Sequence, residues 1–111
     1  MNAEEFVQQF VILKESLIQE YFDTTSDTEV FDKIDKLDLD FEKEKILQEI
    51  LDDVLTDALY TILLGLDGEA QIGDSQETYD LSDENGNKLT GSGEIEAYAW
   101  ENFHGLKHDR K

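Results

Sequence analysis

The chain contains no cysteine and no proline, and only one tryptophan and one methionine in 111 residues. Without cysteine there is no disulfide scaffold, no thiolate metal site and no thiol nucleophile. Long apolar runs are missing as well. The first apolar segment is broken by Glu4, Glu5, Gln8 and Gln9. No stretch of about 18 apolar residues occurs, so neither a signal peptide nor a membrane span is expected, and the reading is of a cytoplasmic protein. Positive charge is scarcest of all. Nine Lys and Arg face 28 Asp and Glu, a net charge of −19 with a pI near 4.1. Lys107, His108, Arg110 and Lys111 crowd into the tail of the chain. Such a surface repels bare nucleic acid and anionic membranes, so neither is an expected ligand. The expected partner is a basic protein; the plainer alternative is that the charge only keeps the chain soluble.

What is present argues for a folded domain. Hydrophobic residues make up 39 %, with six Phe and four Tyr, too much apolar material for a disordered acidic tail. The length fits a single domain, 1–111, with a modest core.

Asn2 followed by Glu5 has the spacing of a capping box. Phe6, Phe10, Leu13, Leu17 and Tyr21 then recur at helical steps, widened by Val7, Val11, Ile18 and Phe22, which predicts an amphipathic helix over about 3–22. Asp23 to Thr28 reads as a loop, with Asp27 or Thr28 capping a short helix that carries Val30, Phe31, Ile34 and Leu37. The longest element starts near Phe41. Apolar pairs four residues apart (Ile46 and Leu47, Ile50 and Leu51, Val54 and Leu55, Ala58 and Leu59, Ile62 and Leu63) give it a broad apolar face, and Gly65 and Gly68 are its stop.

After Gly68 the helical period gives way to glycines and short polar runs. Residues 70–73, 77–81 and 87–91 read as strands. Ser92 or Gly93 caps a last helix over about 94–104, with Ile95, Tyr98, Ala99 and Phe103 on one face, before Gly105 and a frayed tail. The expected fold is α+β: two to three N-terminal helices, a small antiparallel β-meander or hairpin, and a C-terminal helix. Residues 1–66 form the helical part; 67–111 form the hairpin, the last helix and a short basic tail.

The acidic run from Asp80 to Glu94 invites comparison with a calcium loop. With Gly86 at the glycine position, Asp83 and Asn85 fall on ligand positions, but Leu81 and Ser92 occupy the places of the first carboxylate and the bidentate glutamate. Asn85-Gly86 between Tyr79 and Leu81 on one side and Leu89 on the other fits a hairpin turn better, because both residues tolerate positive φ. His104 and His108 have zinc-like spacing, but Gly105 lies between them; His104 reads as a helix-end residue. "GSG" lacks the Lys-Ser/Thr of a phosphate loop, and no serine sits in a nucleophile elbow. Carboxylate pairs are too numerous for any one to signify catalysis. The expectation is a non-enzyme with no metal and no cofactor.

From Asp67 to His104 there are ten acids (Asp67, Glu69, Asp74, Glu77, Asp80, Asp83, Glu84, Glu94, Glu96, Glu101) against one base, Lys88. The cluster Asp32, Asp35, Asp38, Asp40, Glu42 and Glu44 is diluted by Lys33, Lys36, Lys43 and Lys45. The C-terminal half is therefore the better steering face for a basic partner. On the last helix Trp100 lies about 200° from Tyr98, so both cannot point fully inward. Trp100 either closes the core edge or serves as an interface anchor. The candidate partner-binding set is Asp80, Asp83, Glu84, Glu94, Glu96, Tyr98, Trp100 and Glu101.

The "LLGLDG" helix end, the "DENGN" turn and the "GEIEAYAWENFH" helix, within Ile62 to His104, resemble the C-terminal part of small bacterial proteins that accompany polymorphic or contact-dependent toxins. The resemblance covers about two-fifths of the chain and its motifs are structural. It implies a non-enzymatic immunity protein that binds and blocks one cognate toxin, such as a nuclease. Two alternatives stand beside it. One is a nucleic-acid mimic that inhibits a DNA- or RNA-binding or defence protein. The other is a generic interaction module, with a homodimer through the broad face of the helix from Phe41 to Leu64.

Overall fold

The computed structural model describes residues 1–105. They form four α-helices, α1 (Ala3–Tyr21), α2 (Glu29–Lys36), α3 (Phe41–Leu66) and α4 (Glu94–Trp100), followed by a π-helical turn, Glu101–Gly105. Each of the first three helices starts at a side-chain acceptor that the sequence displays. Glu5 N donates to Asn2 Oδ1 (2.8 Å) and Asn2 N donates back to Glu5 Oε1 (3.2 Å), closing the capping box. Thr28 Oγ1 accepts from Phe31 N, and Asp40 Oδ1 accepts from Lys43 N. These bonds satisfy amides that no carbonyl within the helix can reach.

Helices α1 and α3 run antiparallel. Val7 meets Leu63 in the core, while Lys14, further along α1, donates to Asp52 Oδ1 (3.3 Å) and Thr56 Oγ1 (3.2 Å), earlier on α3. The 26 residues of α3 span about 39 Å at 1.5 Å per residue, most of the 46 Å long dimension of the molecule. The core lies toward one end of this helical pair. Ala3, Val7, Leu63, Leu89, Ile95, Ala99 and Phe103 are buried there together, with Phe6, Phe10, Leu59, Tyr60 and Tyr98 packed around them. Lys14 is only 8 % exposed and its ammonium lies 5.5 Å from the centre of the Phe103 ring. It occupies a core position of α1, one turn from Val11 and Ile18, whereas Leu13 on the expected apolar stripe is exposed.

The α+β expectation is not met. Among the described residues there is no strand; the pairing over 67–93 is limited to two isolated bridges, Ile72 with Ser75 and Ser82 with Lys88. The reasons are local. At 70–73, Gly73 takes φ 72° and folds the chain back, so Ile72 N bonds to Ser75 O within one tight turn. At 77–81 and 87–91, Leu89 N donates to Leu81 O (2.8 Å), but the next partner is a side chain. Thr90 Oγ1 donates to Tyr79 O (2.9 Å) and accepts from Leu81 N (3.0 Å), taking the place of a second rung. Gly91, at φ 93°, then turns the chain away. Two short segments with no third strand beside them are marginal as a sheet in any case.

The turn itself forms, though not as the Asn-Gly pair suggests. Gly86 takes φ 85° while Asn85 does not enter the positive region. Gly86 N bonds to Asp83 O and Asp83 N to Asn87 O, a three-residue loop with the glycine as the left-handed residue. The molecule is thus a helical hairpin with a short second helix, and an irregular segment that leads to a fourth. The basic tail and His108 lie outside the described residues.

Leu63 is fully buried where α1, α3 and α4 converge. Leu63→Ala is expected to lower unfolding free energy by about 2–5 kcal/mol, read from urea denaturation followed by circular dichroism.

Candidate protein-interaction surface

Asp67, just past the end of α3, positions the C-terminal helix. Its carboxylate is buried, with Oδ1 accepting from Gly91 N (2.8 Å) and Oδ2 from Glu96 N (3.2 Å). An acidic side chain thus sits on one first-turn amide of α4, that of Glu96, where carboxylates are favourable. Asp67 therefore drops out of the surface acids. Gly93 precedes α4 at φ 81°, and Ser92 Oγ accepts from Glu94 N (3.3 Å).

With α4 held in this way, Ile95, Ala99 and Phe103 face the core. Glu94, Ala97, Trp100 and Glu101 are the exposed residues of the same stretch. At about 100° per residue they fall in one outward arc. Trp100 is 52 % exposed and is not among the side chains packed on the core cluster. Its ring lies over the π-helical turn, so close that a Cβ on Gly105 would stand 3.2 Å from Trp100 Cζ3. Asn102 Nδ2 donates to Tyr98 O (2.8 Å), tying that turn to the helix before it. The indole is exposed, and the backbone beneath it is fixed.

The remaining candidates divide. Tyr98 packs against the core cluster rather than standing out beside Trp100. Glu96 is half-buried and turned toward α3, where Tyr60 lies. Burial pushes the Tyr60 phenol above its ordinary 10.0, and the Glu96 charge adds to the effect. Tyr60 also meets the His104 ring edge-on, centroids 4.5 Å apart. Asp80 and Glu84 are exposed, and Lys88 Nζ approaches Asp80 Oδ1 at 3.7 Å, both side chains well solvated. Such a pair contributes little.

Asp83 is the organiser of its turn. Its carboxylate accepts from Asn85 N, Asn87 N, Asn87 Nδ2 and the Met1 ammonium, at 2.8 to 3.0 Å. The Met1 ammonium and the Asn87 donors hold the carboxyl far below its ordinary 3.8. The turn is tied to the N-terminus of α1 through Asp83 and Met1, while α4 packs in the core shared with α1 and α3, and Phe103 beyond it reaches the Lys14 ammonium in mid-α1.

A second exposed surface runs along α3, the helix whose broad face the sequence offers for a homodimer. Ile46, Ile50 and Val54 of α3 are each 50–54 % exposed. The signal was available: pairs repeating every four residues spread over more of the helix circumference than one neighbouring helix can cover.

No family model matches the chain, and no curated protein or solved structure matches it either.

The Asp83 interactions have a signed pH consequence. A carboxyl held low in the folded state stabilises above its unfolded value and loses that contribution as pH falls toward the folded one. Asp83→Asn is expected to lower the melting temperature at pH 7. Below the ordinary carboxylate value of 3.8 the gap to the wild type should narrow, as thermal melts from pH 7 to strongly acid pH would show.

Proposed function

We propose that this chain is a non-enzymatic acidic protein that binds and neutralises a basic protein partner, acting in a bacterial cytoplasm as an immunity protein that blocks one cognate toxin. The observation that carries the reading is Trp100: a half-exposed indole on a helix pinned from behind by Asp67, with Glu94 and Glu101 on the same outward arc. A rigid aromatic anchor beside uncompensated carboxylates fits a surface made for a protein. The indole contributes buried area at little entropic cost, and the acids speed encounter with a cationic surface. A toxin that acts on nucleic acid must carry such a cationic groove, because it binds phosphates. Asp80 and Glu84, also exposed, add to the negative field. Lys88 is the single base from Asp67 to His104 and stands beside Asp80, so the field reaches solvent with little internal cancellation.

The division of labour is testable. The chain is immobilised, lysate from its own organism is passed over it at low and at high salt, and retained proteins are identified. One basic protein held at stoichiometric yield is then expressed with and without this chain. Growth arrest relieved by co-expression supports the immunity reading. A retained DNA-binding protein that added DNA displaces would favour the mimic instead, and a smear of basic proteins all lost at high salt would overturn both. Against the retained partner, Trp100→Ala is expected to weaken binding by about 2 kcal/mol or more. Glu94→Lys with Glu101→Lys should slow association roughly tenfold at low salt and change dissociation less. Surface plasmon resonance separates the two rates.

A further inference from the structure

The uncovered stripe on α3 has a charge order that is self-complementary about its centre. Ile46, Ile50 and Val54 stand four residues apart and drift about 40° per step, so they fill an arc of about 80°. Lys43 and Asp57 fall inside that same arc, at about 60° and 20° from Ile46. They sit seven residues before and seven residues after Ile50. Within one helix these two charges are about 21 Å apart and cannot pair. Two copies of α3 laid antiparallel across a two-fold axis at Ile50 bring them together. Ile46 then faces Val54 of the second copy, Ile50 faces itself, and Lys43 meets Asp57 at both ends. A two-fold interface requires this reciprocity, residue i on j and j on i. The parallel alternative sets Lys43 against Lys43 and Asp57 against Asp57.

The geometry points to a homodimer built on antiparallel α3 helices centred on Ile50. Exposed apolar side chains at three successive turns supply the attraction, and the end charges select the direction. The surface is distinct from the α4 face around Trp100, and the inference stands whether or not that face binds a toxin. The assembly has a recognisable response to salt. Each chain carries −19, and Glu49, on the flank of the stripe, comes near its own mate across the axis. Screening relieves that repulsion and leaves apolar burial intact. Salt therefore strengthens this contact, the opposite of its effect on binding a basic partner.

Sedimentation equilibrium of the full chain, over about a hundredfold range of protein concentration and at low and high salt, tests it. The expected result is a mass that rises with concentration from 12.8 kDa toward twice that value, with tighter association at high salt. Ile50→Lys should leave helical circular dichroism unchanged and abolish the dimer, since it opposes two like charges at the axis. Lys43→Glu should weaken association about five- to thirtyfold, for two rim pairs lost and made repulsive. Adding Asp57→Lys to it should restore association. Parallel pairing would leave both charge variants near the wild type. A mass that stays at the monomer value at every concentration would overturn the proposal and leave the stripe to a different protein's helix. A dimer that survives Ile50→Lys, or one that the double swap fails to restore, would overturn it equally.

Discussion

The carboxylate of Asp67 is the contact on which the C-terminal part of the molecule depends. The segment between α3 and α4 has no sheet to hold it, so its backbone must be anchored by side chains. Asp67 does this from the last position with a fixed relation to α3, taking one amide from the loop at Gly91 and one from α4 at Glu96. A buried carboxylate is costly unless its lone pairs are engaged. Here the engagement also fixes the direction of α4, and so decides that Trp100 faces solvent while Ile95, Ala99 and Phe103 face α1 and α3. Thr90 repeats the device on a smaller scale, one hydroxyl serving two backbone groups.

Helix α3 divides into two unlike halves. Its C-terminal half is packed by α1, α4 and the loop, and contributes Leu63 and Thr56 to the interior. Toward its N-terminus α1 still covers one side, yet Ile46, Ile50 and Val54 are left open. The helix is longer than the core it serves. Both candidate surfaces follow from that mismatch: a compact acidic end built around α4, and an apolar stripe along the overhang. Their physical characters differ, one electrostatic and sensitive to screening, the other apolar, which suits two separate contacts.

The helices were legible in the sequence because their signals are local. Asn2 with Glu5, Thr28 and Asp40 sit where caps are required, and the apolar spacing gives the helical period directly. The strands were misread because alternation over four or five residues says nothing about whether a neighbour is present to accept the ladder. Ile72 shows alternation and belongs to a tight turn; Tyr79 and Leu81 show it and are bonded by a threonine hydroxyl. Of the candidate site, Glu94, Trp100 and Glu101 share the outward arc, as helical spacing allows. Glu96, Tyr98 and Asp83 are turned to partners within the chain, which composition does not show because it counts a charge or an aromatic ring without saying what it faces. Lys14 at a core position was readable in principle, since it keeps the spacing of Val7, Val11 and Ile18. Asp67 was not, because its partners lie far along the chain.

The way the loop is fastened also sets where the molecule yields. Amides in α1 and in the C-terminal half of α3 are released only by breaking a helix that is packed against the core. Those between Gly68 and Gly93 depend on a few point attachments, at Asp67, Thr90 and Asp83, with exposed backbone between them. Opening free energies in such a segment fall well below the global value, so solvent exchange and proteolysis begin there. The tip around Gly73 to Glu77 is exposed and is tied back by Gln76 Nε2 on Gly68 O (3.0 Å) rather than by these attachments. That makes it the natural place to insert a tag or a fluorophore while leaving the helical scaffold and the Trp100 face in place.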